Sequence, residues 1–209
     1  MHSAETRPRS ETCRRSKRLK EKTGAVHDRL DAAIMACDPF ANRQRYGLFV
    51  TVQHGFHRDI DALYADPTLA DLLPDLDRGR RLVLIEQDLR DLQIERPVYD
   101  RAPVFEHDAP ADLPTALGAL YVAEGSNLGA AFLLKHAEAN LDLSTEFGAR
   151  HLAGAPDGRG LRWRTFTAAL DAVPLSDADE DCVTAGARRM FDRVSDLVEQ
   201  VMVAPWSVD

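Results

Sequence analysis

Apolar residues recur along most of the chain with the 3.6-residue period of an amphipathic helix. The first such stretch begins near Ser16 and ends at Asp38-Pro39, because the residue before a proline is pushed out of the α region. Its apolar positions are Leu19, Val26, Leu30, Ala33, Ile34 and Cys37. A second stretch from about 42 to 65 repeats the pattern and stops at Asp66-Pro67. The chain is therefore predicted to begin with two amphipathic helices.

The rest of the sequence also favours helices, and no segment alternates convincingly with a period of two. Asp112 and Ser176 are candidate N-caps for two of these helices. The predicted helices are 68–73, 77–93, 113–140, 146–153, 160–172 and 176–201. Proline recurs at 97, 103, 110 and 114, which predicts a surface connection before 113. We predict an all-α, irregular helical bundle: a mobile basic tail over 1–15 and a single domain over 16–205.

Charge and composition narrow the possible partners. Lys and Arg number 26 against 34 Asp and Glu, a net charge of −8, which argues against nucleic acid or an anionic membrane as the main partner. No run approaches about 18 uncharged apolar residues, so we expect a cytoplasmic protein with no membrane span. Residues 1–24 are nevertheless basic, which fits either a solvated tail or attraction of an anionic ligand or partner. The three cysteines form no cluster and are interpreted as reduced thiols.

The most unusual local pattern is a glycine-rich predicted helix. Gly118, Gly125 and Gly129 fall along one line of its surface with Tyr121 and Phe132. Each interior glycine costs about 1 kcal/mol relative to alanine, so a close approach to the backbone is expected here. The approaching body is either a neighbouring helix or a flat ligand, and the spacing alone leaves both open.

Among the seven histidines, His27 stands out because it lies beside the apolar stripe of the first helix. Lys20 lies about 10 Å earlier, two turns away on the same face. Such a histidine is either a satisfied interface residue or a ligand. A neutral imidazole binds haem iron, and the Lys20 ammonium would then be within reach of a propionate.

Two segments resemble one known family. The sequence LKEKTGAVH, which ends at His27, resembles the proximal helix of the haem (heme) oxygenase family. The sequence LYVAEGSNLGAAFLLK, residues 120–135, resembles the distal helix of its bacterial, biliverdin-producing branch. With weaker similarities in Phe56–Tyr64 and Gly186–Phe191, the likeness covers roughly 17–200.

The resemblance implies a fold in which haem is sandwiched between a proximal and a distal helix. It implies that His27 is the axial ligand of the haem iron, and that Gly125, Ser126 and Gly129 form the catalytic distal face. Animal members of the family have a carboxylate where Ser126 stands, so here proton delivery is expected to use other groups. The implied haem-binding residues are His27, Lys20, Tyr121, Gly125, Gly129, Phe132, Arg189 and Phe191.

The activity implied by the resemblance is cleavage of haem by O₂ and electrons to biliverdin, Fe²⁺ and CO, with the α position favoured. Haem would be both substrate and cofactor. The electrons must come from an external donor, a ferredoxin or a flavin-type reductase, because the chain has no dinucleotide fingerprint or cysteine cluster. We expect a monomer that serves haem catabolism, either for iron acquisition or for supply of a photoreceptor chromophore.

Three alternatives compete with this hypothesis. A haem storage, transfer or sensor protein would share the ligand but not the turnover. A di-iron carboxylate bundle would need Glu-x-x-His pairs, and none occurs. A cofactor-free helical interaction domain would bind no haem at all.

Overall fold

The computed structural model describes residues 14–204, and helices account for most of them. Within that range the only β-type pairings are isolated bridges at Ser144, so the all-α prediction is confirmed. The α-helices are α1 (Arg15–Ala36), α2 (Arg43–Ile60), α3 (Pro67–Leu72), α4 (Leu82–Asp91), α5 (Leu113–Leu141), α6 (Arg159–Ala172) and α7 (Asp177–Val198). Short 3₁₀ turns cover Asp61–Ala65, Leu76–Gly79 and Arg150–Leu152, and a π-helical turn, Glu199–Val203, extends α7.

Three predicted helices are shorter than the sequence suggested. The second ends at Ile60 and continues as a 3₁₀ turn, and the one predicted from 77 begins only at Leu82. The prediction of a helix over 146–153 is wrong, since within that range only the 3₁₀ turn Arg150–Leu152 is helical. Gly148 has a φ of 74°, which lies in the left-handed region and interrupts a right-handed helix. The predicted N-caps are confirmed: Asp112 accepts from the Thr115 amide at 3.1 Å, and Ser176 forms a capping box with Asp179.

The first helix begins inside the predicted basic tail. Arg15 is the first residue of α1 and is buried, so its placement in a mobile tail was wrong. Its guanidinium donates to Glu180 at 2.9 Å and to the Val173 carbonyl at 2.7 Å. This basic residue therefore ties α1 to α6 and α7. Residues 1–13 and 205, where the other predicted boundaries fall, lie outside the described residues.

The centre of the bundle is the crossing of α5 and α7, and α1 packs on the same α7. Gly118 of α5 and Gly186 of α7 make this crossing possible. A Cβ on Gly118 would overlap the Val183 carbonyl oxygen and lie 2.6 Å from the Ala187 nitrogen. A Cβ on Gly186 would lie 2.6 Å from the Thr115 carbonyl oxygen. The two backbones are therefore in direct contact.

Among the described helices, α5 is long and apolar enough to cross a membrane by length and composition. Its first half lies in the protein core, where residues 116–124 are all buried. Core helices pass the same test. Its second half is more open, with Leu128 41% and Phe132 56% exposed.

Candidate functional site

His27 presents an open imidazole on the surface of α1. Its side chain is 53% exposed, and its ring meets the edge of Phe191 of α7 at 6.0 Å between centroids. Nδ1 lies 3.4 Å from Asp28 and 3.6 Å from Asp31. Nε2 has no hydrogen-bond partner within residues 14–204 and is available to a ligand.

The three glycines that lie in line on α5 differ in what covers them. Gly118 is packed against α7, as described above. At Gly125 a Cβ would make ordinary contact with Trp163 of α6, at 3.6 Å. At Gly129 a Cβ would meet nothing within 4 Å. Helix contact therefore accounts for Gly118, whereas the backbone at Gly129 is open to a ligand.

Tyr121 lies one turn before Gly125 and shares its aromatic neighbour. Its ring is 5.5 Å from Trp163, and only 8% of the residue is exposed. Burial raises the pKa of Tyr121, so its hydroxyl stays protonated and can donate a hydrogen bond. Lys20 is exposed on α1, two turns before His27.

Arg189 and Phe191 face different directions on α7. They are about 200° apart around the helix axis. Phe191 is buried against His27, whereas Arg189 is exposed and lines a cleft of about 510 Å³ between α1 and α7. The structure thus brings Phe191, but not Arg189, next to His27. The cleft is lined by Arg18, Lys22, Asp181, Thr184, Ala185, Arg188, Arg189 and Asp192.

Two polar residues, Ser126 and Asn127, lie between Gly125 and Gly129, and some of their polar atoms already have hydrogen-bond partners. Ser126 Oγ donates to the Ala123 carbonyl at 2.7 Å, within its own helix. The Asn127 carbonyl accepts from Arg159 at 2.7 Å. Asn127 Nδ2 is buried and has no partner in the described part of the chain. This donor is therefore available to a water or ligand.

Sequence reasoning missed a buried ion pair next to Gly125. Glu124 has a 1% exposed side chain and pairs with Arg162 of α6 at 2.9 Å, while Tyr64 donates to it at 3.3 Å. The feature of the sequence that could have indicated this ion pair is Glu124, a single carboxylate inside an otherwise apolar stretch of the predicted helix. Its partner is 38 residues away and could not be found from local spacing.

A second missed cluster contains buried histidines. Burial lowers the pKa of His57 to about 3, and the charges of His151, Arg81 and His54 act in the same direction. His57 Nδ1 and His151 Nε2 are buried without partners among the described residues. The indication in sequence was a histidine on the apolar side of the second predicted helix.

Comparison with known proteins decides the family. The family model described as heme oxygenase matches residues 14–200. This chain belongs to the heme oxygenase family. Heme oxygenase PigA of Pseudomonas aeruginosa is 40% identical over 186 residues, which are 89% of this chain and 92% of that relative. The resemblance stated from sequence is confirmed, and the chain is a heme oxygenase enzyme.

Two solved heme oxygenases have the same fold. The enzyme from Neisseria meningitidis, in a study of its NO- and CO-bound forms, gives a TM-score of 0.84 at 38% identity, over 94% of this chain and 96% of that one. Heme oxygenase-1 from the cyanobacterium Synechocystis, in complex with heme, gives a TM-score of 0.73 at 17% identity, over 90% and 92%. At that identity the second match supports the fold alone.

The residues present fit the haem that this family acts on. A histidine-ligated haem needs an accessible imidazole nitrogen and apolar surfaces that a flat ring can approach closely. His27 supplies the first. On α5, Gly129 leaves open space beside the exposed Leu128 and Phe132, and on α1 Met35 is 40% exposed. Exposed apolar side chains of this size on α1 and α5 fit a surface that a ligand covers.

Proposed function

We propose that this heme oxygenase binds haem between α1 and α5, with His27 Nε2 as the axial ligand, and cleaves it to biliverdin, Fe²⁺ and CO. The observation that supports this site is the open His27 ring, backed by Phe191, together with the uncovered backbone at Gly129. Haem supplies the iron that binds O₂ and the porphyrin edge that is oxidised. The chain's own residues bind it, orient it and control the polarity beside it.

Orientation of the ring is assigned to Lys20 and Tyr121. An exposed ammonium on α1 and a protonated phenol on α5 are both donors to propionate oxygens. By holding both propionates, these two side chains would fix the rotation of the ring and hence which meso carbon is oxidised. We propose that this arrangement selects the α position. Phe132 and Phe191 provide apolar contacts to the ring.

We assign proton delivery to Ser126 together with other groups, because Ser126 alone lacks a free donor. Its hydroxyl proton is already donated to Ala123, so Ser126 is left with acceptor capacity. The unpartnered Asn127 Nδ2 is a donor in the same turn. Ordered water held between such groups would carry protons to the distal face.

Electrons are proposed to come from an acidic ferredoxin or flavin-type reductase. The cleft between α1 and α7 has Arg18, Lys22, Arg188 and Arg189 along its lining, against Asp181 and Asp192. This net positive surface supports docking of an acidic protein near the haem-binding helix. Reduction should therefore slow as salt rises, and salt-independent reduction would contradict the docking. We further propose a cytoplasmic, monomeric protein that releases iron from haem.

The test is a haem titration followed by turnover. Wild-type protein with haemin should give a Soret band that collapses, as biliverdin absorption and free iron appear, when a slow reductant is supplied in air. His27→Ala should lose stable ligation and turnover, and added imidazole should restore ligation. His107→Ala removes another exposed histidine and should behave as wild type.

The same assay separates the alternatives. A Soret band that persists after confirmed reduction and O₂ binding would indicate haem storage, transfer or sensing. No Soret shift would refute the haem site.

A further inference from the structure

Helix α6 holds α5 at two points on either side of Gly125-Ser126. Arg162 Nε donates to Glu124 Oε2 at 2.9 Å, just before the glycine. Arg159 Nη1 donates to the Asn127 carbonyl at 2.7 Å, just after the serine. These two arginines, one turn apart on α6, therefore bracket the start of the open half of α5.

The ion pair between Glu124 and Arg162 is held in place by its burial. The Glu124 side chain is 1% and the Arg162 side chain 14% exposed, and Tyr64 completes the carboxylate's contacts. Gly79 packs so closely that a Cβ there would overlap Glu124 and lie 2.6 Å from Arg162. A buried, hydrogen-bonded ion pair in such a confined space leaves little freedom.

The second point is of a different kind, because within residues 14–204 Arg159 donates only to backbone oxygens. Its other terminal nitrogen donates to the Leu152 carbonyl, so the guanidinium bridges α5 to the 3₁₀ turn Arg150–Leu152. In a continuous helix the Asn127 carbonyl also serves the amide of residue 131. Arg159 therefore acts on the turn that contains Gly129, where no side chain covers the backbone.

We propose that Arg159 is a positioning residue, which through the Asn127 carbonyl sets the conformation of the Gly125–Gly129 segment at the haem face. The inference rests on the proposed haem site between α1 and α5. A segment containing two glycines is conformationally permissive, and the bond from Arg159 restricts it at its C-terminal side. Its position in turn determines how closely the distal backbone approaches the substrate.

Arg159→Met tests this role by removing both donors while keeping an unbranched side chain. In the haem-free protein, amides of residues 125–131 should exchange about tenfold faster, the effect of losing one charge-assisted hydrogen bond. In the haem-loaded protein, haem affinity should stay within about twofold, while turnover falls about tenfold and the biliverdin isomers become mixed. Arg159→Lys keeps one charged donor and should restore most of the isomer selectivity.

The matched control is Arg164→Met, which removes an exposed arginine from the same helix and should change none of these properties. Wild-type exchange at 125–131 in Arg159→Met would overturn the proposal, whatever the turnover. Local exchange that rises while the isomer composition stays unchanged would overturn it as well. Failure of wild-type turnover would instead refute the proposed function, while the exchange measurement still tests the contact.

Discussion

Replacing Gly129 with alanine should raise stability and lower activity at the same time. Gly129 lies in the interior of α5, and a Cβ there meets no atom within 4 Å. Alanine is favoured over glycine in a helix interior by about 1 kcal/mol. With no clash to offset this gain, the haem-free protein should be more stable by about that amount. For a domain of this size the Tm should rise by about 2–4 °C.

The same methyl group should interfere with the proposed site. It would occupy the space in which the haem ring approaches the backbone of α5, and a displacement of about 1 Å at a reacting centre can reduce the rate about a hundredfold. We therefore expect a loss of turnover of at least about tenfold in Gly129→Ala. Thermal unfolding without haem and biliverdin formation with haem measure the two effects separately.

Two other glycines provide the controls. Gly118→Ala adds a methyl against two backbone atoms of α7, which should cost about 1–3 kcal/mol of overpacking and outweigh the helix-propensity gain. Gly160→Ala lies in α6, where the nearest atom is the flexible end of Arg164 at 3.5 Å, and should leave turnover unchanged. A Gly129→Ala protein that gains stability and keeps wild-type turnover and isomer composition would refute the placement of haem at this face.

Three further predictions concern other parts of the molecule. Arg15→Met should lower the free energy of unfolding by about 1–3 kcal/mol in urea titrations, because it leaves the Leu170 and Val173 carbonyls without their guanidinium donor, while Arg18 still pairs with Glu180. A change below about 0.5 kcal/mol would contradict the anchoring role. The pKa of His57 falls to about 3 through burial, so the unfolded chain binds the extra proton between pH 3 and 6.5. Stability should then fall by about 1.4 kcal/mol per pH unit below pH 6, and His57→Gln should remove this part of the slope. Lys20→Ala and Tyr121→Phe should each broaden the biliverdin isomer composition more than they weaken haem binding, as measured by chromatography of the product and by haem titration.

The sequence predicted the parts of the fold that depend on local interactions. The bounds of α1, α5 and α7 agree with the periodic stretches to within a few residues, and the caps at Asp112 and Ser176 act as expected. Errors occurred where a single backbone conformation decides the outcome. The left-handed φ of Gly148 is one such case, because glycine permits that conformation without requiring it.

Contacts between distant segments could not be predicted. Glu124 and Arg162 are 38 residues apart, and Arg159 and Asn127 are 32 apart. Their pairing depends on how α6 packs on α5, which no local pattern specifies. The position of the Arg189 side chain could not be predicted either. It depends on the rotation of α7 about its axis, and that rotation turns Phe191 toward His27.

The distribution of packing along α5 connects the fold to the proposed site. The helix is glycine-rich and largely apolar on both sides of Glu124, yet the protein uses its two halves differently. Before Glu124 the apolar face is buried, and Gly118 admits the backbone of α7. After Glu124 the apolar pattern continues, but Leu128, Gly129 and Phe132 are exposed. Exposed apolar side chains on successive turns are the kind of surface on which a bound ligand gains contact area. Since Arg159 and Arg162 of α6 hold α5 near its middle, the exposed side chains that follow lie next to a fixed segment, and haem bound through His27 in the proposed site would cover them.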